Sequence, residues 1–439
     1  MKYAVVTFGC RVNQADSLEI EGELRAMGAV GAAPSEADVV VVNTCSVTAA
    51  ADQGARQTIR RVARDNPAAR IVVTGCYATR APGDLESLPQ VARLVPNPRK
   101  EQLAAEIADA LGLTTAERFA GGDGPCGRAL EPGVAGRTAL TLRVQTGCDE
   151  RCSYCIIPST RGAGRSKPLS MIRDAISRAA DAGYREVVIT GVHLGSYGRD
   201  LGDGTSLLSL TRLLAEWAGD MLFRLSSLEP MDCSLELVDL VAASLRLAPH
   251  FHLPLQHASD EMLAAMRRPY TLEGYRGLVD TIRKRMPHAS IGSDVIVGFP
   301  GETDRHAALL VDYLDASPLT HVHVFPYSHR PGTEASAFDG VPPPPVVRVR
   351  AAAVRAAGDR LSRAFRAAQV GTTRRALVVD DGTAVVTDNY LKLWLDRPRV
   401  RNEWMDVQVT SETTARAGAA APARTFVEED SRVTANGAS

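Results

Sequence analysis

The chain has 439 residues, 45% apolar and 23% charged, with 50 basic against 51 acidic side chains and a net charge of −1. That length exceeds one ordinary hydrophobic core and points to about three domains. No run approaches the ~20 apolar residues that span a bilayer, and balanced charge removes bulk electrostatics as an argument for nucleic-acid binding, so any RNA site must be a local patch.

Lys2–Phe8 reads as a first β-strand, because polar Arg11, Asn13 and Gln14 end the apolar run before any small-residue cleavage site. Further strand-like runs at Asp38–Val42 and Arg70–Thr74 alternate with helical patterns at Asp16–Met27 and Asp52–Ala63. This βαβα order predicts a Rossmann-like α/β unit with a parallel sheet, placed at residues 1–118. Gly112–Gly136, rich in Gly, Thr and Ala with Pro125 and Pro132, suits a linker.

Six strand–helix units follow, with strands at Ala139–Gln145, Glu186–Thr190, Leu222–Ser226, Phe251–Gln256, Ile291–Val297 and His321–Phe325. Helices begin near Ser170, Ser206, Ser234, Ser259, Leu272 and Thr303, several with Ser or Thr placed as N-caps. The pattern predicts a (β/α)6 partial TIM barrel over 134–366, with its chemistry at the carboxyl ends of the strands. Val341-Pro342-Pro343-Pro344-Pro345 breaks the chain, and an Arg- and Ala-rich helix runs to Gln369. Runs at Ala376–Val379, Ala384–Thr387, Lys392–Leu395 and Asp406–Thr410 then predict a small all-β barrel within 367–430, with a loose Ala/Gly/Ser-rich tail after Ala415.

Eight cysteines are too few and too patterned for a disulfide scaffold, and they fit a metal role in a reducing cytoplasm. Cys148, Cys152 and Cys155 form a C-x3-C-x2-C run directly after the first barrel strand. Three thiolates on one short loop can cap three irons of a [4Fe-4S] cubane and leave the fourth open for S-adenosylmethionine. A structural zinc site is the competing reading, but zinc ordinarily takes four ligands and no fourth is nearby. Cys10, Cys45 and Cys76 each sit just past the carboxyl end of a strand, 35 and 31 residues apart, where a parallel sheet gathers its ligands. They predict a second cluster, against the alternative of unrelated buried cysteines. Cys126 and Cys233 read as small apolar residues.

With these residues in view, the sequence resembles the radical S-adenosylmethionine methylthiotransferase family over nearly its whole length. The match rests on Thr7-Phe8-Gly9-Cys10-Arg11-Val12-Asn13-Gln14, Val42-Asn43-Thr44-Cys45, Val73-Thr74-Gly75-Cys76-Tyr77, Cys155-Ile156-Ile157-Pro158 and Asp294-Val295-Ile296-Val297-Gly298-Phe299-Pro300-Gly301-Glu302-Thr303. The resemblance implies an auxiliary [4Fe-4S] cluster in the first domain, a radical barrel in the middle and an RNA-binding TRAM barrel at the end. Arg11-Val12 resembles the branch that methylthiolates C2 of N6-threonylcarbamoyladenosine at position 37 of tRNA. The alternatives are branches acting on isopentenyladenosine or a ribosomal-protein aspartate, and an iron–sulfur redox protein without radical chemistry. The resemblance also implies a cytoplasmic enzyme with a reducing partner such as flavodoxin or ferredoxin.

Gly191, Ser226, Glu229, Gln256 and Asp294 lie on or after barrel strands and are candidates for lining the cofactor or adenine pocket, with structural hydrogen bonding as the alternative for the last four. His193, His252, His257 and His323 are read as structural or catalytic. Arg161 and Arg165 suit a phosphate or carboxylate, or solvent. The basic stretch from Arg348 to Arg375 suits an RNA backbone or a solvated face, while acidic residues dilute the charge of the β-module.

Overall fold

The computed structural model describes residues 1–110 and 138–418; the linker expected at 112–136, Cys126 and the tail beyond 418 lie outside the described residues. The first unit is built on five parallel strands: β1 (Lys2–Thr7), β2 (Val30–Gly31), β3 (Val39–Thr44), β4 (Arg70–Gly75) and β5 (Val91–Val95), in the order β2-β1-β3-β4-β5. Strand β3 is buried at every position, which its unbroken Val run reflects. Val39 and Val41 pack with Ile20 and Leu24 of helix Arg11–Ala26, while Val40 and Val42 pack with Ala55 and Ile59 of helix Ala49–Asp65. Two-residue β2 has no periodicity and β5 is interrupted by Arg93, so neither is among the predicted strands.

The second unit begins with β6 (Leu140–Arg143) and a short antiparallel pair, β7 (Gln145–Thr146) and β8 (Arg165–Ser166). It continues with β9 (Glu186–Thr190), β10 (Leu222–Leu225), β11 (His250–His252), β12 (Ser290–Val297) and β13 (His321–Pro326). The ladders β6-β9-β10 and β11-β12-β13 are wholly parallel, and single bridges at Phe223–Leu247 and Ser227–His252 join them into an open six-stranded arc. Strand β11 stops short of the expected Gln256, because Pro254 has no N–H for the ladder; Gln256, at φ +65°, rejoins β12 only as a bridge to Val295. Helices Leu207–Ala215, Leu235–Ala243, Leu272–Arg285 and Asp304–Ala316 carry hydroxyl caps from Ser206, Ser234, Thr271 and Thr303.

Helix Pro344–Gln369 runs along β13 and leads into a closed barrel of β14 (Thr373–Val379), β15 (Ala384–Thr387), β16 (Lys392–Leu395), β17 (Trp404–Val409) and β18 (Thr414–Ala417). The expectation of loose chain after Ala415 is corrected here: β18 pairs with both β16 and β17 and closes the barrel. No helix among the described residues is long and apolar enough to cross a membrane.

A buried charge cluster docks the first unit on the second. Asp16, on helix Arg11–Ala26, receives Lys100 Nζ at 2.8 Å, Arg161 Nη2 at 2.9 Å and Arg143 Nη1 at 3.2 Å. Burial alone would raise the Asp16 pKa, but the three cations outweigh it and hold the carboxyl well below the usual range. A second tie runs from Asp52 to Arg80 at 2.9 Å and across to Arg330 at 2.6 Å. Asp16→Asn leaves three cations short of their counter-charge and is expected to cost about 3–5 kcal/mol. An earlier chemical-denaturation transition checks this, and an unchanged one refutes it.

Candidate active site

Cys10 caps helix Arg11–Ala26, Cys45 follows β3, and Cys76 opens helix Cys76–Arg80 after β4. Because β1, β3 and β4 are parallel neighbours, their ends deliver the three residues to one crevice. Gly75, at φ +99°, turns the chain into Cys76, and a Cβ there would stand 2.2 Å from the Thr44 carbonyl oxygen. Asn13 donates to the Phe8 and Thr44 carbonyls at 2.8 and 2.9 Å, and Asn43 donates to the Asn13 carbonyl at 2.9 Å, so two motif residues knit the cysteine loops together. Burial, reinforced by the neighbouring Cys10 and Cys76 thiols, pushes Cys45 up to about 11.

The second set lies on the loop after β7. Gly147, at φ +74°, would place a Cβ 1.9 Å from the Ala163 carbonyl oxygen, and Cys148 N donates to the Gly162 carbonyl at 3.0 Å. Ser153 is bound to Met266 and Ala265 carbonyls and accepts from Ala335 N, which pins the middle of the loop. Burial raises Cys148 to about 11 and Cys155 to about 12, with the other thiols of the loop adding to it. Arg268, absent from the expected site residues, donates Nη1 to Cys152 Sγ at 3.0 Å and pairs with Glu229. It comes from a loop 116 residues away in sequence, and no motif spacing announces it.

Both sets fit four-iron clusters. Each set supplies three free thiols from neighbouring strand ends or one short loop, and three thiolates suit three irons of a cubane, each on a different iron. Metal binding at either set would displace thiol protons, since the thiolate is the ligand.

Beside the first set lies a cavity of about 680 Å³ to which all three units contribute. Cys10, Cys45 and Cys76 stand on one wall, Gly191, Ser226 and Asp294 on another, and Tyr390 of the β-module on a third. Ser226 Oγ, His250 Nδ1, His252 Nε2 and Asp294 Oδ1 are buried without hydrogen-bond partners, although the last two lie 2.9 Å apart. Such orphaned groups fit an adenosine-bearing cofactor with donors and acceptors of its own. His252, His321 and His323 bring their ring nitrogens within 4.8 Å of one another, and burial lowers His321 to about 4. They form a polar wall of three imidazoles.

The other expected residues go elsewhere. Glu229 is held by Arg268 and Gln256 makes the turn back to β12; neither is part of the cavity lining. His193 is tied to Asp232 at 2.7 Å, and buried His257 is pushed down to about 3. Arg161 meets neither phosphate nor solvent, since its charge is spent on Asp16, whereas Arg165 is exposed. In the basic stretch, Arg350 pairs with Glu302 and Asp304, and Arg360 with Asp315. Cys233 is buried in the barrel core.

Two family models match the chain, "Uncharacterized protein family UPF0004" over residues 2–96 and "Radical SAM superfamily" over residues 142–314. The chain is 35% identical over 407 residues to the threonylcarbamoyladenosine tRNA methylthiotransferase MtaB of Aquifex aeolicus (strain VF5), covering 90% of this chain and 96% of that one. It belongs to the radical S-adenosylmethionine methylthiotransferase family. The tRNA-2-methylthio-N(6)-dimethylallyladenosine synthase of Parafrankia sp. (strain EAN1pec) is 33% identical, covering 87% of this chain and 78% of that one. In fold, the chain is similar to the radical S-adenosylmethionine methyltransferase TsrM of Kitasatospora setae, with a TM-score of 0.55, 18% identity and coverage of 76% and 73%. The family's cofactors, S-adenosylmethionine and [4Fe-4S] clusters, fit the two cysteine sets and the cavity beside the first of them.

Gly147→Ala is expected to remove about half of the bound iron, measured by iron and sulfide analysis of anaerobically reconstituted protein, because the other set is untouched. Full iron content would refute the steric argument. Arg268→Leu, which deletes a charge-assisted hydrogen bond to Cys152, is expected to lower the midpoint potential of that cluster. A redox titration followed by electron paramagnetic resonance measures it, and an unmoved potential counts against it.

Proposed function

We propose that this enzyme inserts a methylthio group at C2 of N6-threonylcarbamoyladenosine 37 of tRNA. The observation that carries the proposal is the shared cavity, which has Cys10, Cys45 and Cys76 on one wall and Gly191, Ser226 and Asp294 on another. Cys148, Cys152 and Cys155 would hold the radical-generating cluster, and Cys10, Cys45 and Cys76 the auxiliary one. When bound, these groups supply an adenosyl radical and the transferred sulfur, chemistry needed because an aromatic C–H offers neither an acidic proton nor a leaving group.

The chain's own residues do the positioning. Gly191 leaves no room for a side chain, since a Cβ would lie 3.0 Å from Gln145 Oε1, and Gln145 in turn accepts from His193 N at 2.9 Å. That holds backbone at the cavity wall where a cofactor would approach. Ser226 presents an unpaired hydroxyl and Asp294 a carboxylate 2.9 Å from His252 Nε2, and Phe325 and Phe365 add rings to the lining. The choice of substrate is supported by Arg11-Val12 and by the activity named for the Aquifex relative. A cytoplasmic setting and a low-potential reductant such as flavodoxin or ferredoxin complete the reading.

Mass spectrometry of tRNA nucleosides from a deletion strain tests the substrate. Loss of the methylthiolated threonylcarbamoyladenosine is expected, and loss of the isopentenyl product instead overturns it. Among variants, Cys148→Ala is expected to abolish 5′-deoxyadenosine formation, whereas Cys45→Ala keeps it and forms no methylthiolated product. Methylthio transfer by Cys45→Ala would rule out the donor role of the first set.

A further inference from the structure

The cavity is electropositive. Its lining holds Arg11, Arg161 and Arg366 against a single carboxylate, Asp294. Arg161 is paired with Asp16, and Arg366 donates to the Glu412 carbonyl at 2.9 Å. Arg11 has no carboxylate partner among the described residues; its contacts are with Tyr390, whose hydroxyl accepts from Nη2 at 2.5 Å and whose ring centroid lies 5.4 Å from Cζ. A guanidinium at a cavity wall with most of its donors unused is a receptor for a planar anion.

Tyr390 is held in place at some conformational cost. Its φ is +72°, a region that bulky residues seldom occupy and that persists where surrounding contacts enforce it. Those contacts are present. Fully buried Asn389 donates to the His288 carbonyl at 2.8 Å and to Gln369 Oε1 at 3.0 Å, and Arg224 donates to the Asp388 carbonyl at 3.0 Å. The Tyr390 ring rests 4.6 Å from the His250 ring and 4.6 Å from Arg224 Cζ. Because its oxygen accepts from Arg11, its own proton remains free to donate into the cavity.

We propose that Arg11 and Tyr390 together bind the carboxylate of the substrate's N6-threonylcarbamoyl group and so set substrate specificity. The proposal rests on the functional reading above and names the residues behind it. Threonine's carboxylate is the one negative charge on this modified base, and a fork of guanidinium N–H groups with a phenol proton matches it. C2 lies across N1 from the carbon that bears N6, so anchoring the N6 arm fixes which ring edge faces inward. Arg11 directly follows Cys10, placing recognition of that arm one residue from the first cysteine set.

The test uses full-length, anaerobically reconstituted enzyme and two anticodon stem-loops, one with threonylcarbamoyladenosine and one with its threonine carboxylate replaced by carboxamide. Wild type is expected to show a KM about tenfold or more lower for the carboxylate hairpin, the range of a charge-assisted hydrogen bond. Arg11→Gln is expected to erase that preference, Arg11→Lys to restore part of it, and Tyr390→Phe to weaken it. Iron analysis accompanies each variant. Should Arg11→Gln lose iron through its neighbour Cys10, Tyr390→Phe, far from the cysteines in sequence, carries the test. If wild type methylthiolates the natural hairpin but shows no carboxylate preference, or if the preference survives in Arg11→Gln and Tyr390→Phe, this inference fails and the functional reading stands. If wild type leaves the natural hairpin unmodified while acting on an isopentenyladenosine hairpin, the functional reading itself fails.

Discussion

One carboxylate, Asp16, meets three cations from three separate segments, and the active site depends on that meeting. Asp16 lies on the helix that Cys10 caps, Arg143 is on the first barrel strand, and Arg161 ends the short helix after the Cys148–Cys155 loop. The contact therefore fixes one cysteine set against the other. Buried charge is costly unless fully paired, so the seam has little tolerance for displacement. Both units carry their chemistry at the carboxyl ends of parallel strands, and the seam turns those two mouths toward a common space.

The space has a consistent chemistry. Burial, with the neighbouring thiols adding to it, raises the pKa of Cys45 on its wall. Burial lowers the pKa of His250 and His321, and the lining carries the guanidinium groups of Arg11, Arg161 and Arg366.

Much of this was legible in the sequence, and for identifiable reasons. All six barrel strands were, because buried parallel strands read as apolar runs between capped helices, and so were the six cysteines, because strand ends and a tight loop give them characteristic positions. The failures have physical causes. Strands β2 and β18 are too short to show periodicity, and β18 is made a strand only by its partners in the closed barrel. Short-range patterns also gave no sign that Glu229 pairs with Arg268, which reaches Cys152, or that Gln256 bridges to β12 after Pro254. Arg268, Asp16 and Tyr390 each act through at least one partner more than a hundred residues away, and no local pattern encodes such pairings.

Tyr390 also shows where selection for stability and selection for function diverge. At φ +72°, glycine or asparagine would sit with less strain, so the commonest stabilising replacements at this position would also remove the ring. A lineage drifting toward greater heat resistance would gain stability there while losing a wall of the cavity. The residue thus records a compromise: the β-module gives up some of its own stability so that another domain's reaction has a boundary.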